Sequence, residues 1–553
     1  MKQVLNFSIP FVVGPANNGL SFDDSSLAPI GYEDLCKLPT GTVYNVKNYG
    51  AKGDGIVDDT PAVKQALAAI KASNATGILY FPTGTYNLCP QLPQDATPWG
   101  DVVFNLAGFP MKVVFIGDGP SKTILKGFMP GLKDPKTTWK TLTTDGSEPS
   151  IERFIMFQAI TSPNTPAGGF QIRSMTVDGQ AGYTGNFLSG GDSTTGDGWD
   201  WFHKGVRIDG SSQVDDVLIF NSQIINFRGE IVYSGGTAAK FVGLFLSKTD
   251  SSNASCISCS TDMLIHSSDV GQDVGVYNGT ENFCITAQQK MVCINSRFSG
   301  KAQGLVYIGV DGASCLIDNC DITNSGRGIL FSETAHNVTV RNSRFLNNTA
   351  QAMIDSVLGL YPQGTGFSNF LIENNTFIKT GYSYLCQGYG GGYDWPGFTL
   401  RNNTVTSGAL IGGSFLGTFT NFNIDGNILG DKAISTGDWA GNVALWTNNV
   451  RLPGSFIGNH EKFDEFSPTP TAIFAPISDL TFLNDNRSSP IQNAEIDSTK
   501  LHYYPVGFTT KFKIGKTNWV LKANPAWNNF SADVPVTNTT TIRFNANKLF
   551  ELV

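Results

Sequence analysis

A six-residue unit of apolar, any, Asn, small or polar, any, apolar recurs through the middle of this chain, and no other feature narrows the fold as much. It reads Ile219-Phe220-Asn221-Ser222-Gln223-Ile224 and, in shortened form, Ile294-Asn295-Ser296-Arg297-Phe298. Ile317-Asp318-Asn319-Cys320-Asp321-Ile322 and Val340-Arg341-Asn342-Ser343-Arg344-Phe345 follow, then Ile372-Glu373-Asn374-Asn375-Thr376-Phe377 and Leu400-Arg401-Asn402-Asn403-Thr404-Val405. A weaker copy begins at Ile424, with Gly426 in the Asn place. The asparagines stand 24 residues apart from 295 to 319, then 23, 32 and 28 apart as far as 402. The span from 221 to 295 is 74 residues, close to three such steps.

A period of this length with elastic spacing means one supersecondary unit stacked repeatedly, with loops absorbing the differences. Each unit holds three short strands; around Asn319 they are expected at residues 315–317, 321–323 and 328–332. Alternation turns Ile329 and Phe331 inward, Leu330 and Ser332 outward. One coil cannot bury its own apolar row, so stacking is obligatory. The recurrent Asn suits a tight corner, because it tolerates the left-handed conformation and its amide can bond to the same Asn one coil away. No L-x-x-L-x-L frame is present, so a leucine-rich repeat is excluded. The chain is expected to be an all-β parallel solenoid.

Upstream, Val46-Lys47-Asn48-Tyr49-Gly50-Ala51-Lys52-Gly53-Asp54-Gly55 leads into Asp58-Asp59-Thr60-Pro61-Ala62-Val63 and then Gly77-Ile78-Leu79-Tyr80-Phe81-Pro82-Thr83-Gly84-Thr85-Tyr86. This run resembles the opening module of the pectate-lyase-like superfamily of right-handed parallel β-helix proteins. That group includes polysaccharide lyases, glycoside hydrolases and phage tailspike depolymerases. The resemblance spans residues 43 to about 430 and implies a right-handed helix; its motif speaks for fold more than for chemistry. Asp59 or Thr60 suits an N-cap with Pro61 at the first helical position. Ala62, Val63, Ala66, Leu67 and Ile70 form one apolar face, so a helix near 60–72 is expected to cap the open end of the solenoid. Asp54, Asp58 and Asp59 are accordingly read as structural.

Residues 1–42 are taken as an N-terminal arm and 43–465 as the β-helix. Beyond about 430 the Asn frame fades, Pro468 and Pro470 mark a linker, and 466–553 is expected to be a small C-terminal β module or cap. Charged residues make up only 15% of the chain, with 61 Gly and 38 Phe, which favours short strands and tight turns over surface helices. No apolar run is long enough to span a membrane. The net charge of −8 is spread along the chain without a Lys/Arg cluster, which argues against nucleic acid. Of nine cysteines, Cys256 and Cys259 form a C-x-x-C with only His266 nearby, so buried thiols within the turns are expected rather than zinc. Gly117-Asp118-Gly119-Pro120 lacks a following helix and is not read as a phosphate loop.

Chemistry on a sugar polymer needs positioned acids and bases. Coils about 4.8 Å apart would set carboxylates roughly 5 Å apart on adjacent coils and roughly 10 Å on alternate ones. The resemblance implies a cleft along the strands that follow the third turn. Asp311, Glu333 and Asp355 close strand-like runs there on successive coils, Asp273 precedes Val274 to Tyr277, and Glu230 precedes Ile231. These five acids are the candidate catalytic residues. Sugar rings stack on flat apolar faces, which nominates Trp199 and Trp201, and Tyr389, Tyr393 and Trp395 in a Gly-rich loop. Tyr307 and Arg327 join them as substrate contacts, and with Lys290 and His336 they are the proton handlers that an elimination could use; His336 is read first as a turn residue.

The Asn-Thr-Asp, Asp-Asp, Gly-His-Gly and Arg-Ile-Lys set of polygalacturonases is not found, nor is the calcium-binding acid cluster with a paired Arg of pectate lyases. No metal and no cofactor is therefore expected, calcium being the one ion that elimination leaves open. The leading expectation is an extracellular enzyme, on a cell or virion surface or secreted, that cleaves glycosidic bonds in a polysaccharide, by hydrolysis first and elimination second. A non-catalytic carbohydrate-binding protein or a phage tailspike-type protein is the rival, as a monomer or a homotrimer.

Overall fold

The computed structural model describes residues 38–88, 101–127, most of 154–451 apart from connecting segments, and parts of 479–553. Three parallel sheets run the length of the solenoid, and through most of it each strand pairs with the one three places on in the sequence. Among the described residues the first sheet has 14 strands, from Thr42–Asn45 to Val443–Thr447, and the second has 14, from Asp54–Asp58 to Val450–Arg451. The third has 12, from Asp101–Asn105 to Lys432–Ile434. Around Asn319 the strands are Cys315–Asp318, Asp321–Thr323 and Arg327–Glu333, matching the three expected. Ile329 and Phe331 are fully buried, as alternation requires. Thr60–Ser73 is an α-helix that buries Val63, Ala66, Leu67 and Ile70 against the first coil. A Cβ on Gly77 would lie 2.4 Å from Ile70, so that close approach requires glycine. The upstream acids hold backbone: Asp59 accepts from the N–H groups of Lys52 and Gly53, and Asp58 from that of Thr60.

The corner between the first and second sheets is the repeated element. Asn221, Asn295, Asn319, Asn342, Asn374 and Asn402 all have positive φ, between 47° and 55°. Leu246 and Ser267 take the same conformation, and so supply the two coils hidden within the 74-residue span. The bonding differs from the expectation. Asn319 does donate to Asn295 (2.7 Å), but Asn342 turns to Asp318 (2.8 Å). The continuous ladder runs one residue later, through Ser222, Ser247, Ser268, Ser296, Cys320, Ser343, Asn375, Asn403 and Asn427, all buried. At almost every step of it the backbone N–H of one coil donates to the side-chain oxygen of the next: Ser222 to Ser247 (3.1 Å), Ser343 to Asn375 (2.9 Å), Asn403 to Asn427 (2.9 Å).

Inside, side chains stack in columns. Phe345 lies parallel to Phe377 with centroids 4.5 Å apart, and Phe370 lies parallel to Phe398 at 5.5 Å. Such columns account for the Phe-rich composition. Cys256, Cys259, Cys284, Cys293, Cys315 and Cys320 are buried free thiols, and Cys320 occupies a ladder position. Beyond the solenoid, Asp479–Phe482, Thr509–Ile514, Thr541–Phe544 and Phe550–Leu552 form a four-stranded sheet, with a three-stranded one beside it in the chain.

The ladder predicts a contrast in stability. Asn403→Ala leaves the N–H of Asn375 without its acceptor and costs about 2–3 kcal/mol. Asn402→Ala, at the exposed left-handed position, costs about 1 kcal/mol. Denaturant unfolding followed by ellipticity reads both, and equal costs would contradict the assignment of the ladder.

Candidate active site

One face of the third sheet packs into the core, so alternate residues of its strands form rows on the outside. One row passes from Gln158 in Phe154–Thr161 to Arg207 in Lys204–Gly210 and Tyr233 in Val232–Ser234, which are direct register partners. Their neighbours Phe157, Ala159, Val206 and Ile208 point into the core.

Buried charge gathers here. Lys204, Arg207 and Glu230 are three of the five buried Asp, Glu, Lys and Arg side chains among the described residues. The Lys204 ammonium pairs with Glu230, their side chains 2% and 8% exposed. The same ammonium lies 4.7 Å from the centroid of the Tyr233 ring. Arg207 Nη2 stands 3.1 Å from Asp209 Oδ2, the arginine 7% and the aspartate 36% exposed. Asp209 Oδ1 accepts from the Gly210 N–H at 2.9 Å, which fixes the plane of the carboxylate. Burial pushes the Tyr233 phenol above its ordinary value, the charges of Asp209 and Glu230 push it further, and Arg207 opposes them. A Cβ on Gly235 would sit 2.8 Å from the Tyr233 hydroxyl, so glycine there leaves room for the phenol.

The arrangement combines a protonated phenol, a carboxylate that reaches solvent and two cations. The phenol can give a proton, Asp209 can take one, and Arg207 can stabilise negative charge on a bound molecule, while Lys204 is held by Glu230. Buried charge grouped in this way is a signature of functional sites. A groove of about 670 Å³ also follows the exposed corner, lined by Asn295, Arg297, Asp321 and Arg344 among others. Its charges neutralise one another in register, Arg344 gripping Asp321 at 2.7 and 2.6 Å, as a surface ion-pair ladder of small energetic value.

Of the acids expected from the sequence, the structure describes the side chain of Glu230 alone. Glu333 ends its strand opposite Pro362. Tyr307 is corrected from a substrate contact to a core residue: it is fully buried and packs edge-on to Phe331. Glu230 belongs to the charged cluster, closed against Lys204 rather than standing on an open edge. Arg327 and Glu333 bound a third-sheet strand and Trp395 begins Trp395–Pro396, their side chains outside the described residues. Asp273, Asp311, Asp355, Trp199, Trp201, Tyr389 and Tyr393 also lie outside them. His336 bonds through Nδ1 to Ser368 Oγ at 2.6 Å. The sequence reading missed Gln158, Lys204, Arg207, Asp209 and Tyr233. The signal was present in Val206-Arg207-Ile208-Asp209, where charge alternates with apolar residues along one strand. Among the described residues, no group of three His, Cys, Asp or Glu is placed to hold a metal, and no helix is long and apolar enough to cross a membrane.

The buried pair makes a second prediction. Glu230→Leu strands the Lys204 ammonium and costs about 3–5 kcal/mol, while Lys204→Met with Glu230→Leu restores most of that stability. Denaturation of the two variants checks it, and equal loss in both would contradict it.

Residues 43–160 match the family model described as rhamnogalacturonase A/epimerase, pectate lyase-like, and residues 204–405 the one described as right handed beta helix region. The chain is 28% identical over 159 residues to mannuronan C5-epimerase AlgE1 of Azotobacter vinelandii, covering 28% of this chain and 9% of that protein. It is 37% identical over 84 residues to alginate lyase 7 of the same organism, covering 15% and 9%. The matched stretches are thus about a tenth of these curated relatives' length. Among solved structures, the A-module of Azotobacter vinelandii mannuronan C-5 epimerase AlgE6 aligns with a TM-score of 0.45 and 20% identity, over 74% of this chain and 99% of that one. The two family matches and the three stacked sheets agree: the chain is a right-handed parallel β-helix protein with a pectate-lyase-like N-terminal module.

Proposed function

We propose that this chain is an extracellular carbohydrate-active enzyme that modifies an acidic polysaccharide lying across the outer face of the third sheet. The observation that carries the reading is the protonated Tyr233 phenol, set among Lys204, Arg207, Asp209 and Glu230. The names of the curated relatives, an epimerase of mannuronan and a lyase of alginate, support a uronate-bearing polymer.

In this reading Arg207 neutralises the carboxylate of the sugar and makes the neighbouring C–H more acidic. Asp209 takes that proton. In elimination the electron pair forms the carbon–carbon double bond, the glycosidic C–O bond breaks, and Tyr233 protonates the departing oxygen. In epimerisation Tyr233 instead returns a proton to the opposite face of the same carbon. The reaction draws on side chains alone. Within this cluster carboxylate-pair hydrolysis, the first expectation from the sequence, receives less support, because of its two described carboxylates Glu230 is closed against Lys204 and Asp209 alone opens to solvent.

Incubation with uronate-containing and neutral polysaccharides tests the reading, following reducing ends, ultraviolet absorbance of unsaturated products and inverted centres by proton NMR. Unsaturated or inverted products are expected on a uronate polymer. Tyr233→Phe is expected to lower turnover by about 10²–10³-fold while substrate affinity holds. The phenol is raised from 10.0, so its proton-donating form is complete at neutral pH and is lost only as pH climbs past that raised value. No alkaline loss of rate below about pH 10 is therefore expected from this group. Reducing ends without unsaturation, or full turnover by Tyr233→Phe, would overturn the assignment.

A further inference from the structure

We infer that Gln158 is a sugar-binding residue that hydrogen-bonds a hydroxyl of the unit next to the reacting one, an assignment that rests on the third-sheet face being where the glycan lies. Gln158 is 7% exposed, and its Oε1 is buried without a hydrogen-bond partner. Its backbone carbonyl is satisfied by the Leu106 N–H at 2.8 Å, so strand pairing explains the main chain but not the side chain. Gln171, also buried, shows the usual solution: its Oε1 accepts from Arg173 Nε at 2.7 Å. Buried amides of this kind are normally paired.

Position separates Gln158 from two of the other unpartnered atoms among the described residues. The hydroxyls of Tyr307 and Thr249 also lack partners but stand at core-facing places, where no ligand reaches. Gln158 faces outward, beside Arg207 and two strands from Tyr233. With strands about 4.8 Å apart, it lies roughly 10 Å from the phenol along the axis of the solenoid. A glycan running along that axis over Arg207 brings its next unit to the amide.

The chemistry of the amide selects the group it takes. Half a turn of the amide exchanges its donor and acceptor ends. A hydroxyl both donates and accepts, so it suits either orientation. A carboxylate suits only the amino end, and an ammonium only the carbonyl end. Gln158 therefore discriminates by hydroxyl placement, while Arg207 attends to charge.

Gln158→Leu removes the polar end at nearly constant volume. Its thermal midpoint is expected to equal or exceed that of the wild type, because an unpaired buried amide is removed. KM for the accepted polymer is expected to rise about tenfold with kcat within about twofold, the signature of lost uniform binding. If Gln158→Leu is poorly folded, Gln158→Asn keeps the amide but withdraws it, and KM rises in the same direction. Unchanged KM in the Leu variant, or in the Asn variant used in its place, together with lost turnover in Tyr233→Phe, overturns the role of Gln158 and leaves the reaction centre standing. Wild-type behaviour in both Tyr233→Phe and the Gln158 variant removes the third-sheet face itself, and Gln158 with it.

Discussion

From Ser222 to Asn427 almost every coil of this solenoid turns one corner so tightly that a backbone N–H is buried there, and the side chain of the next coil supplies its acceptor. The ladder from Ser222 to Asn427 repeats this bond with serine and asparagine oxygens, one Cys320 standing in the column. A buried N–H without an acceptor is expensive, so the bond fixes where one coil sits on another. With the corner fixed, parallel pairing carries the register around the coil to the third sheet. That register sets Gln158, Arg207 and Tyr233 side by side, although they come from strands separated by long stretches of chain.

The proposed reaction centre therefore stands on strands rather than on loops. Arg207, Asp209 and Tyr233 belong to paired strands, and Lys204 and Glu230 lock together at the edge of the same face. Buried ion pairs add little stability compared with apolar packing. Three buried charges gathered at one end of this face, Arg207 on the outer row and the Lys204–Glu230 pair beside it, are thus better explained by chemistry than by folding. Burial, with the charges of Asp209 and Glu230, keeps the proton on the phenol against the opposing charge of Arg207.

The fold was legible because a stacked solenoid repeats its corner chemistry, and the left-handed corner admits few residue types. Asn supplied the frame wherever it was used, and Leu246 and Ser267 hid two coils by taking the same backbone without the same letter. The ladder was displaced by one residue for a related reason. Asn374-Asn375 and Asn402-Asn403 fill both places with the same residue, and coils such as Asn221-Ser222 and Asn342-Ser343 show which one faces inward. The site was less legible because it depends on register and parity. Tyr307 looks exposed until its core-facing position is known. Arg207 and Asp209 were passed over because a strand with alternating charge reads equally well as a solvated edge.

The central claim is that a glycan lies on the third sheet and not in the charged corner groove. The most direct measurement is a crystal structure of the Tyr233→Phe variant with an oligosaccharide of the accepted polymer. The account predicts saccharide density along the axis over Gln158 and Arg207, with one sugar against the ring of residue 233. Density confined to the corner beside Asn295 and Arg297 would contradict it.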